Sequence, residues 1–138
     1  MRARVLLSIL LLAGATAIPA LASGSARRVV GNCTNSQVRP HSIVIACADD
    51  NLSLTHLTWT SFGGTTAHGS GDYYANDCNP SCVAGKFHSY PVKVALSKAK
   101  LCKDRHDDYQ LASLTFTGAR PSGQESASAR VALSCPLP

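Results

Sequence analysis

Apolar and polar residues alternate along most of the chain after residue 40. The clearest run is Tyr90, Val92, Val94 and Leu96, with Lys93 on the opposite face. Apolar residues at every second position are typical of a β-strand that buries one face. Runs of the same kind occur at 43–47, 57–59, 114–116 and 131–135. The chain therefore predicts strands at each of these places.

Turn-forming residues separate the predicted strands, and no stretch after residue 22 keeps a helical apolar period with caps. The turns lie at Asp49-Asp50-Asn51, Gly63-Gly64, Asn79-Pro80 and Pro121-Ser122-Gly123. Six or seven short strands with few helical signals predict an all-β fold. We expect a single small antiparallel β-sandwich over residues 41–138, stapled by disulfides, with an Ig-like or barrel-like arrangement as the alternative.

The first 40 residues differ from the rest. Arg2 and Arg4 precede an apolar run from Val5 to Leu12, and Ala20-Leu21-Ala22 forms a small-x-small cleavage pattern. This order predicts a signal peptide over residues 1–22 and a secreted, extracellular protein. The apolar run is shorter than the roughly 20 residues of a membrane span, so no transmembrane segment is predicted. Residues 23–40 lack alternation and predict an extended N-terminal lead-in.

Composition narrows the class of partner. Charged residues make up 15 % and apolar residues 45 % of the chain, which argues against disorder. The formal net charge is +5, and residues 1–22 hold two arginines and no acid. The remaining charge is too weak to predict a nucleic-acid partner.

Six cysteines in a small exported chain predict a disulfide framework. They are Cys33, Cys47, Cys78, Cys82, Cys102 and Cys135. Cys78 and Cys82 lie close enough to bridge across a turn at Pro80. Six cysteines allow 15 pairings, and the sequence cannot choose among them. We expect Cys78–Cys82, with Cys33–Cys135 tying both ends together and Cys47–Cys102 as the third bridge.

Metal and cofactor signals are weak. Cys78 and Cys82 could hold zinc, but no second cysteine or histidine pair has the matching spacing. Asp49, Asp50 and Asn51 could offer oxygens to calcium, yet the EF-hand pattern is absent, and turn chemistry explains them better. No metal and no cofactor are predicted.

Signals for catalysis are also weak, and no catalytic residue is predicted. His68, Ser70 and Asp72 are the right types for a nucleophile with its base, but they do not form a Gly-x-Ser-x-Gly elbow. The alternative is a glycine-rich strand that permits close packing or a bulge. Glu125 is the only glutamate, so a glycosidase carboxylate pair is not indicated. His56 and His88 could converge across strands.

Two features favour binding. Basic residues concentrate in 86–105, where an anionic cell-envelope polymer could be attracted through long-range electrostatics, although a solvated strand face is the alternative. The candidate binding residues there are Lys93, Lys98, Lys100, Lys103 and Arg105. Tyr73 and Tyr74 point opposite ways on a strand, so one of them can be exposed for stacking. Trp59 is in phase with Leu57 and is expected in the core.

The order of several short motifs resembles a group of small secreted proteins common in actinobacteria, for which no activity is characterised. The resemblance covers roughly residues 40–118, and its most specific part is Cys78-x-Pro80-x-Cys82. Phe62 stands where a second Trp is expected in that group. The other residues that carry it are Cys47-x-Asp49, Leu57-x-Trp59, Ala67-x-Gly69-x-Gly71, Asn76, Gly85, Tyr90-Pro91-Val92 and Leu96-Ser97. It implies export and one domain.

Together these patterns predict a secreted, disulfide-stabilised binding or surface/structural module of unidentified ligand, and favour a non-enzymatic role. The partner would be an anionic envelope polymer or a secreted protein. One alternative is a small secreted hydrolase that uses His68 with Ser70 or an aspartate. The other is an inhibitor of a secreted protease, with a recognition loop over residues 77–85 held by Cys78–Cys82.

Overall fold

Eight β-strands and no helix make up residues 27–138, the part of the chain that the computed structural model describes. The expected signal peptide over residues 1–22 lies outside the described residues. The strands are β1 (Val30–Asn32), β2 (Asn35–Gln37), β3 (Ile43–Val44), β4 (Leu52–Ser61), β5 (Ala67–Asn76), β6 (Phe87–Leu101), β7 (Asp107–Phe116) and β8 (Ser128–Ala132). Within residues 27–138, no helix is long and apolar enough to span a membrane.

Two antiparallel sheets contain these strands. Strands β3 to β8 form a six-stranded sheet in which each strand pairs with its neighbour along the chain. Strands β1 and β2 form a separate two-stranded hairpin. The six-stranded sheet curls around the core, which fits the predicted β-sandwich or its barrel-like alternative. The all-β, antiparallel, disulfide-bonded fold expected from the sequence is confirmed.

The core lies on the inner face of the curled sheet. Alternation places Val92, Val94 and Leu96 of β6 on this face, opposite Leu114 and its neighbours on β7. Burying such apolar side chains contributes roughly 1.5–3 kcal/mol each. Trp59 is half-buried rather than fully buried. It packs against this core, and its Nε1 donates a hydrogen bond to the Pro40 carbonyl at 2.8 Å.

The glycine-rich segment on β5 allows β4 to bulge over it. The register of β4 against β5 shifts between Thr55 and Thr58. A methyl group on Gly69 would lie 2.9 Å from the Trp59 ring, and one on Gly71 would lie 2.9 Å from the Leu57 side chain. Glycine therefore lets these two apolar side chains cross β5 closely, as a glycine-rich strand with a bulge predicts.

Part of the expected lead-in is more structured than predicted. Residues 30–37 form the β1–β2 hairpin, and Val30 is fully buried in the core. Val29 bridges β7 in parallel, where its N–H donates to the Asp107 carbonyl at 3.0 Å. The side chain of Asn32 joins the hairpin to β3, because its Oδ1 accepts the Val44 N–H at 2.9 Å. The segment therefore belongs to the folded unit.

The disulfides pair Cys33 with Cys47, Cys78 with Cys82 and Cys102 with Cys135. The Cys78–Cys82 bridge is as predicted, whereas the expected Cys33–Cys135 and Cys47–Cys102 bridges are wrong. The topology explains the difference. The β1–β2 turn brings Cys33 beside the chain leaving β3, and antiparallel β8 returns Cys135 to the start of β7, next to Cys102.

Candidate functional site

A cleft of about 530 Å³ opens at the end of the sheet where β5 ends and β6 begins. The antiparallel register sets Tyr73 opposite Tyr90 and Ala75 opposite His88, so their side chains share the inner face. The connection between β7 and β8 supplies the facing wall. The lining residues are Tyr73, Ala75, Asn76, Asp77, Asn79, His88, Tyr90, Pro121 and Ser122.

Aromatic rings form one side of this cleft. Tyr73 packs edge-to-face on Phe116 with ring centroids 5.6 Å apart, and lies 6.4 Å from the Tyr90 ring. Burial, and secondarily the neighbouring Tyr90, raise the pKa of Tyr73, so its phenol stays neutral at physiological pH. Neither the Tyr73 nor the Tyr90 hydroxyl has a hydrogen-bond partner among residues 27–138. The fold therefore leaves both hydroxyls available.

Asp77 fixes the loop that borders the cleft, residues 77–86, which we call the cleft loop. Its Oδ1 accepts the backbone N–H groups of Lys86 at 2.9 Å and Asn79 at 3.1 Å. Its Oδ2 lies 2.9 Å from His88 Nε2. The Lys86 backbone N–H, then the bonds from His88 and Asn79, lower the pKa of Asp77 to about 2. Both oxygens of this ionised carboxylate thus brace the protein itself.

Asn76 braces the same loop from inside. Its Oδ1 accepts the Cys78 N–H at 2.9 Å, and its Nδ2 donates to the Cys82 carbonyl at 2.8 Å. Gly85 is required here, because a methyl group would collide with Asn76 Oδ1 and lie 2.8 Å from the Cys78 nitrogen. With the Cys78–Cys82 bridge, these bonds give the cleft loop a defined shape.

The loop tip itself is open to solvent, and Val83 is 100 % exposed. On the outer face of the same hairpin, Tyr74 stacks on Phe87 with centroids 4.8 Å apart and rings inclined by 14°. Tyr73 and Tyr74 therefore lie on opposite faces, as predicted. Of the two, Tyr73 lines the cleft and Tyr74 is part of an exposed aromatic pair.

His68, Ser70 and Asp72 lie along the outer face of β5, and none is hydrogen-bonded to another of the three. Ser70 Oγ is 3.3 Å from the Thr58 hydroxyl, and His68 Nε2 is 3.1 Å from the Thr66 hydroxyl. Asp72 instead bonds to His56 Nδ1 at 3.0 Å. Within residues 27–138, no histidine or carboxylate is hydrogen-bonded to the Ser70 hydroxyl.

His56 and His88 do not pair with each other, because each bonds to an aspartate across a strand pair. The His88–Asp77 pair was not predicted, since the two residues are eleven positions apart and meet only when the hairpin closes. An aspartate and a histidine flanking a predicted tight turn were the available signal.

The predicted basic residues are all exposed, but they do not line the cleft. Lys100 lies ten residues along β6 from Tyr90, which is about 33 Å in a strand. No carboxylate ion-pairs with a lysine or arginine among the described residues. The predicted basic residues are Lys93, Lys98, Lys100, Lys103 and Arg105.

The residues weighed as metal ligands serve the fold. Every cysteine is in a disulfide, so Cys78 and Cys82 offer no thiolate to zinc. Asp49 Oδ1 accepts the Asn51 N–H at 3.3 Å, and Asp50 Oδ1 accepts the Ser53 hydroxyl at 2.9 Å, as turn residues do. Hydrogen bonds from the side chain and the backbone of Asn51 lower the pKa of Asp49.

Two carboxylates meet at the opposite end of the sheet. The Ser36 hydroxyl lies 2.7 Å from an oxygen of Asp104 and 2.7 Å from an oxygen of Asp108. Asp108 is fully buried, and burial is the main cause that raises its pKa. One hydroxyl proton can serve only one of the two acceptors at a time.

Comparison of the chain with protein families, with curated proteins and with solved structures finds no match. The resemblance to secreted actinobacterial proteins therefore rests on the sequence pattern alone, and remains a prediction.

Proposed function

We propose that this protein is a secreted binding module that holds a small polar ligand in the cleft beside Tyr73 and Tyr90. The observation that carries the proposal is the cleft itself. Its volume of about 530 Å³ is within the roughly 300–1,000 Å³ of small-molecule sites. Aromatic rings and a few polar groups in one concavity are the usual composition of such sites.

The bracing of the cleft loop supports recognition. Asn76, Asp77 and the Cys78–Cys82 bridge hold the loop through groups that point back at its own backbone. A loop that is already ordered loses less conformational entropy when a ligand docks against it. The fold therefore presents a preformed wall.

The test is chemical-shift mapping on the purified, oxidised protein. The probes are separate mixtures of neutral monosaccharides, amino acids, nucleosides, organic acids and amines at millimolar concentration. We expect at least one mixture to shift amide signals of residues 73–79, 88–90 and 121–122 in a saturable way. No shift in those residues with any mixture, or shifts confined to other surfaces, would contradict the proposal.

We also propose export, with a mature chain that starts near Ser23 in an oxidising compartment. Three disulfides support this proposal, because such bonds persist where thiols are not kept reduced. The intact mass of protein recovered from culture medium tests it. A mass that begins at Ser23 and is six hydrogens below the reduced value is expected. Retention of residues 1–22 in the medium would contradict cleavage there.

A second candidate function is inhibition of a secreted protease by the cleft loop. It is favoured by Val83, which is fully exposed in the cleft loop directly after the Cys78–Cys82 bridge. The test incubates the protein with serine, cysteine and metalloproteases in molar series. Stoichiometric inhibition that is lost in the Cys78→Ser/Cys82→Ser variant and kept in Lys93→Ala would establish it. Full protease activity at every molar ratio would contradict this candidate function.

A further inference from the structure

The hydrogen-bonding groups that the fold leaves unused in the cleft are all uncharged. Among residues 27–138, no partner is bonded to the hydroxyls of Tyr73, Tyr90 and Ser122 or to the side-chain amide of Asn79. Phenols and hydroxyls both donate and accept, and an amide offers one acceptor and two donors. The cleft can therefore exchange hydrogen bonds in both directions with a ligand.

The carboxylate in the lining already has both oxygens hydrogen-bonded within the protein. Asp77 accepts two backbone N–H groups and the His88 ring, so a cationic ligand would have to compete with three existing bonds. A carboxylate only accepts, so the proton of this bond lies on His88 Nε2. The other ring nitrogen, His88 Nδ1, has no hydrogen-bond partner among residues 27–138.

No lysine or arginine lines the cleft, so an anionic ligand finds no counter-charge there. On β6, Lys98 and Lys100 lie toward the other end of the strand, and Lys93 lies on its opposite face. An ionised ligand would lose its hydration and gain no ion pair, which is unfavourable in a partly enclosed site. Charge complementarity therefore favours an uncharged ligand.

The ring arrangement adds a shape requirement. Tyr73 and Tyr90 lie 6.4 Å apart with their planes inclined by 50°, and together they give the cleft apolar area beside the polar groups. A pyranose ring has the complementary character, since it carries C–H faces and a rim of hydroxyls. An amphipathic aromatic side chain suits such a mixed surface.

We infer that the cleft binds a neutral saccharide unit, with Tyr90 against a face of the sugar ring and Asn79, Ser122 and His88 bonding to its hydroxyls. This inference rests on the proposed function, and it names the class of ligand. The sugar could be a free oligosaccharide or one unit of an extracellular polymer.

The experiment titrates ¹⁵N-labelled oxidised protein with tetrasaccharides of glucose, xylose, mannose and N-acetylglucosamine. Galacturonate and glucosamine tetramers are the charged comparisons. At least one neutral tetrasaccharide is expected to shift signals of residues 73–79, 88–90 and 121–122, and the charged ones are not. Insoluble cellulose, xylan and chitin then distinguish a polymer-bound unit from a free oligosaccharide.

Matched tyrosine variants locate the contact. Tyr90→Ala should weaken binding of the neutral tetrasaccharide by about tenfold or more, as truncation of a central aromatic contact does. Tyr74→Ala, on the opposite face of the same hairpin, should leave the affinity unchanged. Tyr90→Phe keeps the ring and should lose less affinity than Tyr90→Ala. It therefore tests the contact even if the alanine variant folds poorly.

Different failures separate the two proposals. If charged probes shift the cleft signals and neutral saccharides do not, the saccharide inference is overturned while the binding module stands. If no small probe shifts those signals, both proposals fail. If neutral saccharides bind elsewhere, or bind Tyr90→Ala as tightly as the unmodified protein, the assignment to this cleft is overturned.

Discussion

The two ends of the six-stranded sheet use the same kind of bond for different purposes. At the end where β7 begins, Cys102–Cys135 joins residues 33 positions apart. At the cleft end, Cys78–Cys82 joins residues four positions apart. Since the entropy removed from the unfolded chain grows with the loop enclosed, the first end is held for stability and the second for shape.

The polar contacts at the two ends also differ in what they hold together. Asn32 and the Ser36–Asp108 contact attach the hairpin to the sheet through part-buried hydrogen bonds. Asn76 and Asp77 bond mainly within an exposed loop and its immediate neighbours. Loss of the former should affect global unfolding, whereas loss of the latter should affect local order at the cleft.

The largest expected effect comes from the disulfides. Replacing Cys102 and Cys135 by serine should lower the free energy of unfolding by about 4 kcal/mol, and replacing Cys78 and Cys82 by about 2 kcal/mol, because of the different loop lengths. Urea denaturation of both double variants measures this. An equal loss of unfolding free energy in the two double variants would contradict this difference between the ends.

Gly85→Ala should have the next largest effect, confined to the cleft end. The added methyl group displaces Asn76 Oδ1 and the Cys78 amide, with a loss of about 1–3 kcal/mol as for other overpacked sites. Hydrogen exchange of the Cys78 and Lys86 amides should accelerate. Gly64→Ala is the control, because its nearest contact would be 3.6 Å away. Unchanged exchange in Gly85→Ala would show that the brace is not needed.

Asp77 at the cleft end and Asp108 at the other end should respond to pH with opposite sign. Asp77 has a pKa lowered to about 2 from 3.8, so its stabilisation is present above pH 3.8 and is lost as the pH falls toward 2. The pKa of Asp108 is raised from 3.8 by burial, with Asp104, Asp107 and His106 nearby, so it destabilises increasingly as the pH rises above 3.8.

Isosteric variants measure that difference. The gap in unfolding free energy between the unmodified protein and Asp77→Asn should shrink as the pH falls from 4 toward 2. Asp108→Asn should gain stability relative to the unmodified protein as the pH rises above 4. Parallel pH profiles for the two variants would show that the ends do not differ in this way.

The smallest effect is expected at the basic residues. Changing Lys98, Lys100 and Lys103 to glutamine together should alter stability by less than about 0.5 kcal/mol per site, as at other exposed positions. Neutral saccharide affinity should also stay unchanged, because these residues lie far from the cleft. Salt-sensitive sedimentation with anionic envelope polymer that disappears in this variant would instead make the basic end a second binding surface.

Much of the fold was predictable because alternation directly reflects burial. The stripe on β6 and the short runs on β4, β7 and β8 became strands of the sheet, and the glycine-rich segment at 67–71 became β5. The β1–β2 hairpin was not predicted, since Asn32, Asn35 and Gln37 give no apolar alternation. The hairpin is stabilised by Val30, which packs in the core, and by the hydrogen bond between Asn32 and β3. Neither contact can be read from the periodicity of the sequence.

The site was less predictable than the fold. Tyr73 was identified, but only the strand phase in the structure separates it from Tyr74. His88, Asp77 and Tyr90 meet because the β5–β6 register aligns residues far apart in the chain, and Pro121 and Ser122 arrive from another connection altogether. The disulfide pairing was wrong for a similar reason, as it depends on where the antiparallel strands return the chain.

The pairing of the cysteines also bears on how the chain can be made. Each cysteine is joined to the next one along the sequence, so no bridge encloses or crosses another. A chain that emerges N-terminus first into an oxidising space presents its thiols in that same order. In such a chain each native partner is the first free thiol to arrive, so pairing in order of emergence yields the native set of bridges.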